Sequence, residues 1–305
     1  MAGGLETEVL KAVSRSFYLS LKFLPQPMRR PASIAYLLAR ASDTIADTVG
    51  VPVEDRLKFL TDFEKEIELG VEGVAWPESF FSKIEDSGER ELLRRHGEVL
   101  NALRTLPVAE QDLVREVLAI IVDGQRGDLK VFGEDGVRGA VVSLKNGDEL
   151  EGYCWKVAGC VGVFWTKLGY ETLGRKFSDE EPQVLLESAA RYGRGLQLVN
   201  ILRDLAEDLD DGRCYLPVSD SRDEAALMKE FEKWREIAMG YVQCGRGYAK
   251  YLKMRRLRMA SSLPALIAED TLGILKGASL TRLREGVKVP RSRVYSHLLT
   301  AFFSG

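Results

Sequence analysis

Two stretches of this 305-residue chain place aspartates four residues apart within otherwise apolar segments. The first is Tyr36-Leu-Leu-Ala-Arg40-Ala-Ser-Asp43-Thr-Ile-Ala-Asp47. The second is Gln197-Leu-Val-Asn200-Ile-Leu-Arg203-Asp204-Leu-Ala-Glu207-Asp208. On a helix that spacing puts both carboxylates of a pair on one face. Like charges so placed destabilise an isolated helix by about 0.2–0.5 kcal/mol, so each pair calls for a cation. Hard carboxylate oxygens suit Mg²⁺ held together with phosphate, and diphosphate chemistry is the resulting expectation.

The second segment is the more informative. Gly193, Gln197, Asn200, Asp204, Asp208 and Asp211 fall on one narrow polar stripe, while Leu196, Leu198, Val199, Ile201, Leu202 and Leu205 occupy most of the remaining circumference. A buried amide or carboxylate left unpaired costs about 1–3 kcal/mol, so a polar ligand in a cavity is expected to satisfy the stripe. Arg203 stands beside Asp204 and can reach a carboxylate or a diphosphate oxygen. The turn Asp211-Gly-Arg213-Cys-Tyr215-Leu-Pro217 either carries Arg213 back toward the same place or leaves it exposed. In the first segment Tyr36 and Arg40 extend the face of Asp43 and Asp47. Ser14-Arg15-Ser16-Phe17 offers hydroxyls and a guanidinium near a helix start, where anions bind, although an ordinary cap has the same composition. Tyr153-Cys-Trp-Lys-Val-Ala-Gly159-Cys-Val-Gly162-Val-Phe-Trp165 mixes small and aromatic residues. Such a mixture serves close helix packing, or it leaves room for a long apolar substrate beside aromatic faces that stabilise a carbocation. Gly124-Gln-Arg-Gly127-Asp128-Leu closes another apolar run with polar groups.

Helices are what must position these side chains. Leu93, Val99 and Leu103, then Leu113, Val117, Ile120 and Ile121, recur at spacings of three and four. Breaks are expected near Pro25–Pro31, Gly50–Pro52, Gly70–Pro77, Phe132–Asn146, Gly174–Pro182, Asp210–Pro217 and Gly286–Pro290. Ser261-Ser262 ahead of Pro264 reads as a helix start. No break is long enough for an interdomain linker, so one all-α domain over 1–305 is the reading. A hydrophobic fraction of 45% with 29% charged residues is ordinary for a globular protein. A net charge of −3 without a basic run gives no reason to expect nucleic acid. Four cysteines without a CxxC pair, and two histidines, argue against a disulfide framework and a zinc site. A reduced, cytoplasmic setting follows. The N-terminus has no signal-peptide pattern, and no apolar stretch approaches the ~18–20 residues that span a bilayer. The apolar tail Val294–Phe303 is read as docking on the core, with peripheral contact at the inner membrane surface as the alternative.

Together these segments resemble the squalene/phytoene synthase family, the head-to-head prenyl transferases. The likeness runs from about residue 10 to 300 and is most specific in Gln197–Asp208. It implies the all-α isoprenoid synthase bundle, with both aspartate helices lining a central cavity. It further implies that Asp43, Asp47, Asp204 and Asp208 bind Mg²⁺, and that two prenyl diphosphates are the substrates. Ser14, Arg15, Phe17, Tyr36, Arg40, Gln197, Asn200, Arg203 and Arg213 become substrate contacts, and Tyr153 becomes the catalytic tyrosine near the reacting carbons. The segment from Leu263 to Arg293 looks closer to squalene synthases, which makes Lys288 and Arg291 candidate NADPH contacts, although Pro290 departs from the pattern. The expected activity is condensation of two farnesyl diphosphates to presqualene diphosphate, followed by NADPH-dependent reduction to squalene. The alternatives are an enzyme that stops at presqualene diphosphate or dehydrosqualene, a phytoene synthase using geranylgeranyl diphosphate, and a non-catalytic relative. Head-to-tail elongation is disfavoured because neither segment carries the DDxxD arrangement.

Overall fold

The computed structural model describes residues 9–13, 17–70, 73, 76–133, 141–290, 292–293 and 297. The chain divides into two compact units, Met1–Lys130 with Lys167–Gly174, and Val131–Thr166 with Arg175–Gly305.

The first unit is built from α1 (Leu10–Val13), α2 (Phe17–Phe23), α3 (Gln26–Asp47), α4 (Val53–Leu69), α5 (Glu78–Phe81), α6 (Ser87–Arg94), α7 (His96–Arg104) and nearly all of α8 (Val108–Phe132). The expected break at Pro25–Pro31 contracts to its first residue: Pro25 caps α3, and Pro31 lies inside the helix. Packing outweighs the lost N–H there, because Ile34, Leu37, Leu38 and Ile45 are each at most 1% exposed, and each such side chain contributes about 1.5–3 kcal/mol. Gly70 ends α4 in the left-handed region at φ 68°, which glycine adopts without strain. Asp86 caps α6 by accepting from the backbone N–H groups of Gly88 and Glu89, which fixes the start of the helix that carries Glu89.

The second unit opens with strand β1 (Val142–Ser143), which pairs in parallel with β2 (Arg213–Cys214). Asn146 accepts from the N–H of Glu149 and caps α9 (Gly147–Cys154). A π-helical turn, Trp155–Gly159, joins α9 to α10 (Cys160–Leu173), whose end from Lys167 belongs to the first unit. Then come α11 (Pro182–Arg203), α12 (Leu205–Asp210), α13 (Glu224–Tyr251), α14 (Arg255–Leu275) and α15 (Leu280–Arg284). Apolar residues of α11, α13 and α14, among them Leu198, Leu202, Phe231, Ala238, Ala265 and Leu272, form one core cluster. The backbones of α11 and the π turn touch: a Cβ at Gly193 would lie 2.2 Å from the Ala158 carbonyl oxygen, and one at Gly162 2.2 Å from that of Ala189.

Two local expectations are corrected. Pro264 does not open a helix but sits inside α14, which begins at Arg255. Buried Leu257, Ala260, Leu263, Ala265 and Ala268 hold that helix on both sides of the proline, and the Ser261 carbonyl accepts a 2.8 Å bond from the Tyr192 hydroxyl. The second aspartate stripe does not ride one continuous helix. The chain breaks at Asp204, with φ −97° and ψ 6°, between α11 and α12.

Candidate functional site

In the first unit, Asp43 and Asp47 occupy the last two turns of α3. Gln125 of α8 donates from Nε2 to Asp43 Oδ1 at 2.5 Å, and Arg40 Nη1 lies 3.8 Å from Asp43 Oδ2. Arg40 is itself hydrogen-bonded and ion-paired to Glu89 of α6, whose other oxygen accepts from the Thr44 hydroxyl at 3.2 Å. Burial opposes the Arg40 charge, but the carboxylates of Glu89 and Asp43 outweigh it and raise its pKa. Desolvation, then the neighbouring Asp47, pushes the Asp43 carboxyl up to about 7 against the pull of Arg40 and Gln125. Protein surrounds this carboxyl, yet 42% of the side chain is water-accessible, so solvent screens part of the repulsion. Asp47 is exposed. Tyr36, one turn before Arg40, donates from its hydroxyl to the Val13 carbonyl at 3.1 Å.

In the second unit, Arg203 closes α11 and forks onto the next residue: Nε donates to Asp204 Oδ1 at 2.7 Å and Nη2 to Oδ2 at 2.5 Å. That bond, working against burial, raises the Arg203 pKa. Asp208 keeps 15% of its side chain accessible and faces Arg213 at 3.6 Å; Arg213 also pairs with Asp211 at 3.0 Å. The β1–β2 register sets Val142 opposite Arg213, so the turn does bring Arg213 back to the acidic segment. Gln197 is half-buried and Asn200 exposed. The stripe is therefore open to water, not the buried ladder its spacing implied.

Tyr153 lies one residue before the end of α9. Its ring stacks on Tyr215 at 4.8 Å and 24°, and Tyr215 tilts against Phe132 at 4.9 Å and 59°. Tyr215 is only 6% exposed, and the two-residue strand before it fixes its backbone through the bond from Leu144 N–H to the Cys214 carbonyl, 3.1 Å. Sequence reasoning passed over Tyr215, Phe132 and Glu89 and saw Gln125 only as one polar group in a run. The aromatic following Arg213-Cys214 was the one available signal for the stack.

Ser14, Arg15 and Arg291 lie outside the described residues, as do the side chain of Phe17 and all of Val294–Phe303 except His297. Lys288 is exposed after α15. Beside that segment is a cleft of about 280 Å³ lined by Glu269, Asp270, Gly273, Ile274, Val289, Pro290 and Arg293. Two carboxylates line it, and Arg293 lies 3.6 Å from Asp270. This lining does not fit the phosphates of a nicotinamide cofactor.

Magnesium fits better. Among the described residues no cluster of three or more His, Cys, Asp or Glu side chains could hold an ion unaided. Each aspartate pair thus supplies two carboxylates, and a metal there needs oxygens from water and a ligand. That is the usual donor set of Mg²⁺ bound with phosphate. The elevated Asp43 carboxyl and the buried, unpartnered Oε1 of Gln125 are what such an ion and its waters would relieve.

The fold recurs in known structures. TcSQS, solved in complex with a ligand, superposes with a TM-score of 0.77 over 97% of this chain and 84% of its own, at 26% identity, so the architecture is that of the all-α isoprenoid synthases. The chain belongs to the squalene/phytoene synthase family, whose model matches residues 10–293. It is 30% identical over 212 residues to squalene synthase of Schizosaccharomyces pombe, covering 69% of this chain and 43% of that one. It is 29% identical over 231 residues to presqualene diphosphate synthase of Zymomonas mobilis, covering 75% and 64%. The chain thus matches less than two thirds of the length of either relative. No helix among the described residues is long and apolar enough to cross a membrane.

Proposed function

We propose that this protein is a Mg²⁺-dependent prenyl transferase that joins two farnesyl diphosphates head to head to give presqualene diphosphate. The carrying observation is that each DxxxD segment has a basic side chain against its carboxylates: Arg40 beside Asp43, and Arg203 and Arg213 beside Asp204 and Asp208. Carboxylates alone would repel a diphosphate. Carboxylates with guanidinium groups at hand bind one through a shared cation and direct hydrogen bonds. Bound magnesium supplies positive charge where the pyrophosphate leaves an allylic carbon. Arg40 at the first acidic pair, and Arg203 and Arg213 at the second, add fixed charge for a diphosphate bound at each pair, and Tyr36 borders the first of these sites. Tyr153, backed by Tyr215, presents an aromatic face able to stabilise the allylic cation. The names of the relatives support C15 donors, since squalene and presqualene diphosphate are both built from two such units.

NADPH-dependent reduction to squalene completes the proposal. It rests on the likeness to squalene synthases and not on the lining of the cleft beside Lys288. A cytoplasmic enzyme is the setting we infer, with peripheral membrane contact as the alternative. The test is incubation with farnesyl diphosphate and Mg²⁺, with and without NADPH, followed by mass spectrometry. Presqualene diphosphate in both tubes and squalene only with NADPH is the expected result. Presqualene diphosphate or dehydrosqualene in both would remove the reductive step. No product with Mg²⁺ from farnesyl or geranylgeranyl diphosphate would overturn the transferase reading.

A further inference from the structure

Gln125 is a buried polar side chain bonded to the acidic pair of the first unit, at 7% exposure. It reaches from α8 to α3 across 82 residues of sequence to donate to Asp43 Oδ1. The rotation of α8 that aims it there is held by the next residue, since Arg126 pairs with Glu64 of α4. Its other amide atom, Oε1, is buried and accepts from no protein donor. A side chain kept for packing alone would be apolar at this depth, because an unpaired amide oxygen is costly to bury. One half of the amide therefore has a protein partner, and the other half is poised for a donor that the protein does not provide. Asp43 presents the complementary asymmetry. Oδ1 is taken by Gln125, while Oδ2 has Arg40 at 3.8 Å, beyond hydrogen-bond length, and Arg40 is itself committed to Glu89.

We propose that Gln125 is a positioning residue for magnesium: its N–H holds Asp43 so that Oδ2 faces the ion, and its Oε1 accepts a hydrogen bond from an ion-bound water. This rests on reading Asp43 and Asp47 as a metal-binding pair. Partners that orient a ligand commonly matter about 10–100-fold in metal affinity, and a loss in that range is expected when the amide is removed.

The test uses the full chain carrying Asp204→Asn, so that one acidic pair reports, with Mn²⁺ binding followed by electron paramagnetic resonance and Mg²⁺ as competitor. Gln125→Met keeps the side-chain volume and removes both polar atoms; Gln125→Asn keeps an amide but withdraws it by one methylene. Both are expected to weaken Mn²⁺ binding about 10–100-fold while the metal-free melting temperature stays near that of the parent. Asp43→Asn should weaken it at least as much. Should Gln125→Met prove unfolded, Gln125→Asn decides alone. Parent-like Mn²⁺ affinity in a folded Gln125 variant, with Asp43→Asn weakened, overturns the role of Gln125 and leaves the metal pair standing. Equal binding by the parent and Asp43→Asn removes the metal pair, and this proposal with it.

Discussion

Replacing Gly193 by alanine tests whether contact between the α11 backbone and the π turn positions the second unit's site. The added Cβ would lie 2.2 Å from Ala158 O, 2.8 Å from Ala158 C and 2.9 Å from Gly159 Cα. All three are backbone atoms, so no rotamer change relieves them. Restoring an ordinary contact of about 3.4 Å requires the segments to part by about 1.2 Å. Overpacking typically costs about 1–3 kcal/mol; a clash this short against backbone belongs at the upper end, about 2–3 kcal/mol, of which alanine's better helix propensity returns about 1 kcal/mol. A net loss of about 1–2 kcal/mol corresponds to roughly 2–8 °C in melting temperature for a unit of 150–250 residues. Gly240→Ala in α13 is the matched control, because nothing lies within 4 Å of a Cβ there; it should gain about 0.4–1 kcal/mol. Because Tyr153 leads into the π turn while α11 carries Gln197, Asn200 and Arg203, the same displacement should lower kcat more than stability alone explains. Calorimetry and steady-state turnover of both variants provide the assay. If Gly193→Ala melts at or above the parent temperature, the close contact does not exist and the reasoning fails.

Asp43→Asn should make the metal-free protein less sensitive to pH. A carboxyl whose pKa rises on folding favours the native state while protonated, and that contribution is lost as pH climbs from its unfolded value near 4 through about 7. The melting-temperature difference between Asp43→Asn and the parent should therefore widen in favour of the variant from pH 5 to 8; a constant difference would refute the raised carboxyl. Arg40→Lys keeps the charge but loses the planar fork between Glu89 and Asp43, and kcat/KM should fall about 10-fold or more, measured with farnesyl diphosphate. Tyr215→Ala should cost about 3–5 kcal/mol in denaturant unfolding, as for other buried aromatics. Tyr215→Phe, which keeps the stack on Tyr153, should cost far less; equal losses would place the effect in the hydroxyl.

The helical class, most of the breaks and both acidic pairs were legible because they are written in local spacing. The expected break at Phe132–Asn146 ends at the residue that caps α9, and Arg203 and Arg213 lie within five residues of the carboxylates they bind. The long-range partners of Asp43 and Arg40 were not legible in this way. Gln125 reaches Asp43 across 82 residues and Glu89 reaches Arg40 across 49, and only packing decides which face of α8 or α6 turns toward α3. Pro264 misled for the related reason that a proline is weighed locally as a helix start, whereas burial on both sides of it carries α14 through. The stripe from Gly193 to Asp211 was read as buried because its neighbours are apolar. Most of those neighbours are in the core, but Asn200 is exposed and Asp204 lies at a break that periodicity does not record.

The wide turn at Trp155–Gly159 has a consequence for chain length. A π turn holds a surplus residue relative to the α-helices on either side, and one residue is worth about 100° of rotation about the axis. Because the turn is wide, it absorbs the surplus residue without turning α10 by that angle, so removing Val157 would let α9 and α10 fuse into an unbroken cylinder with Gly162 still facing Ala189. An extra residue held in α geometry would instead swing everything downstream, and a bulky neighbour such as Val161 or Val163 would meet α11 in place of Gly162. The segment acts as a slack link: it tolerates the loss of one residue and protects the phase of the helix that follows.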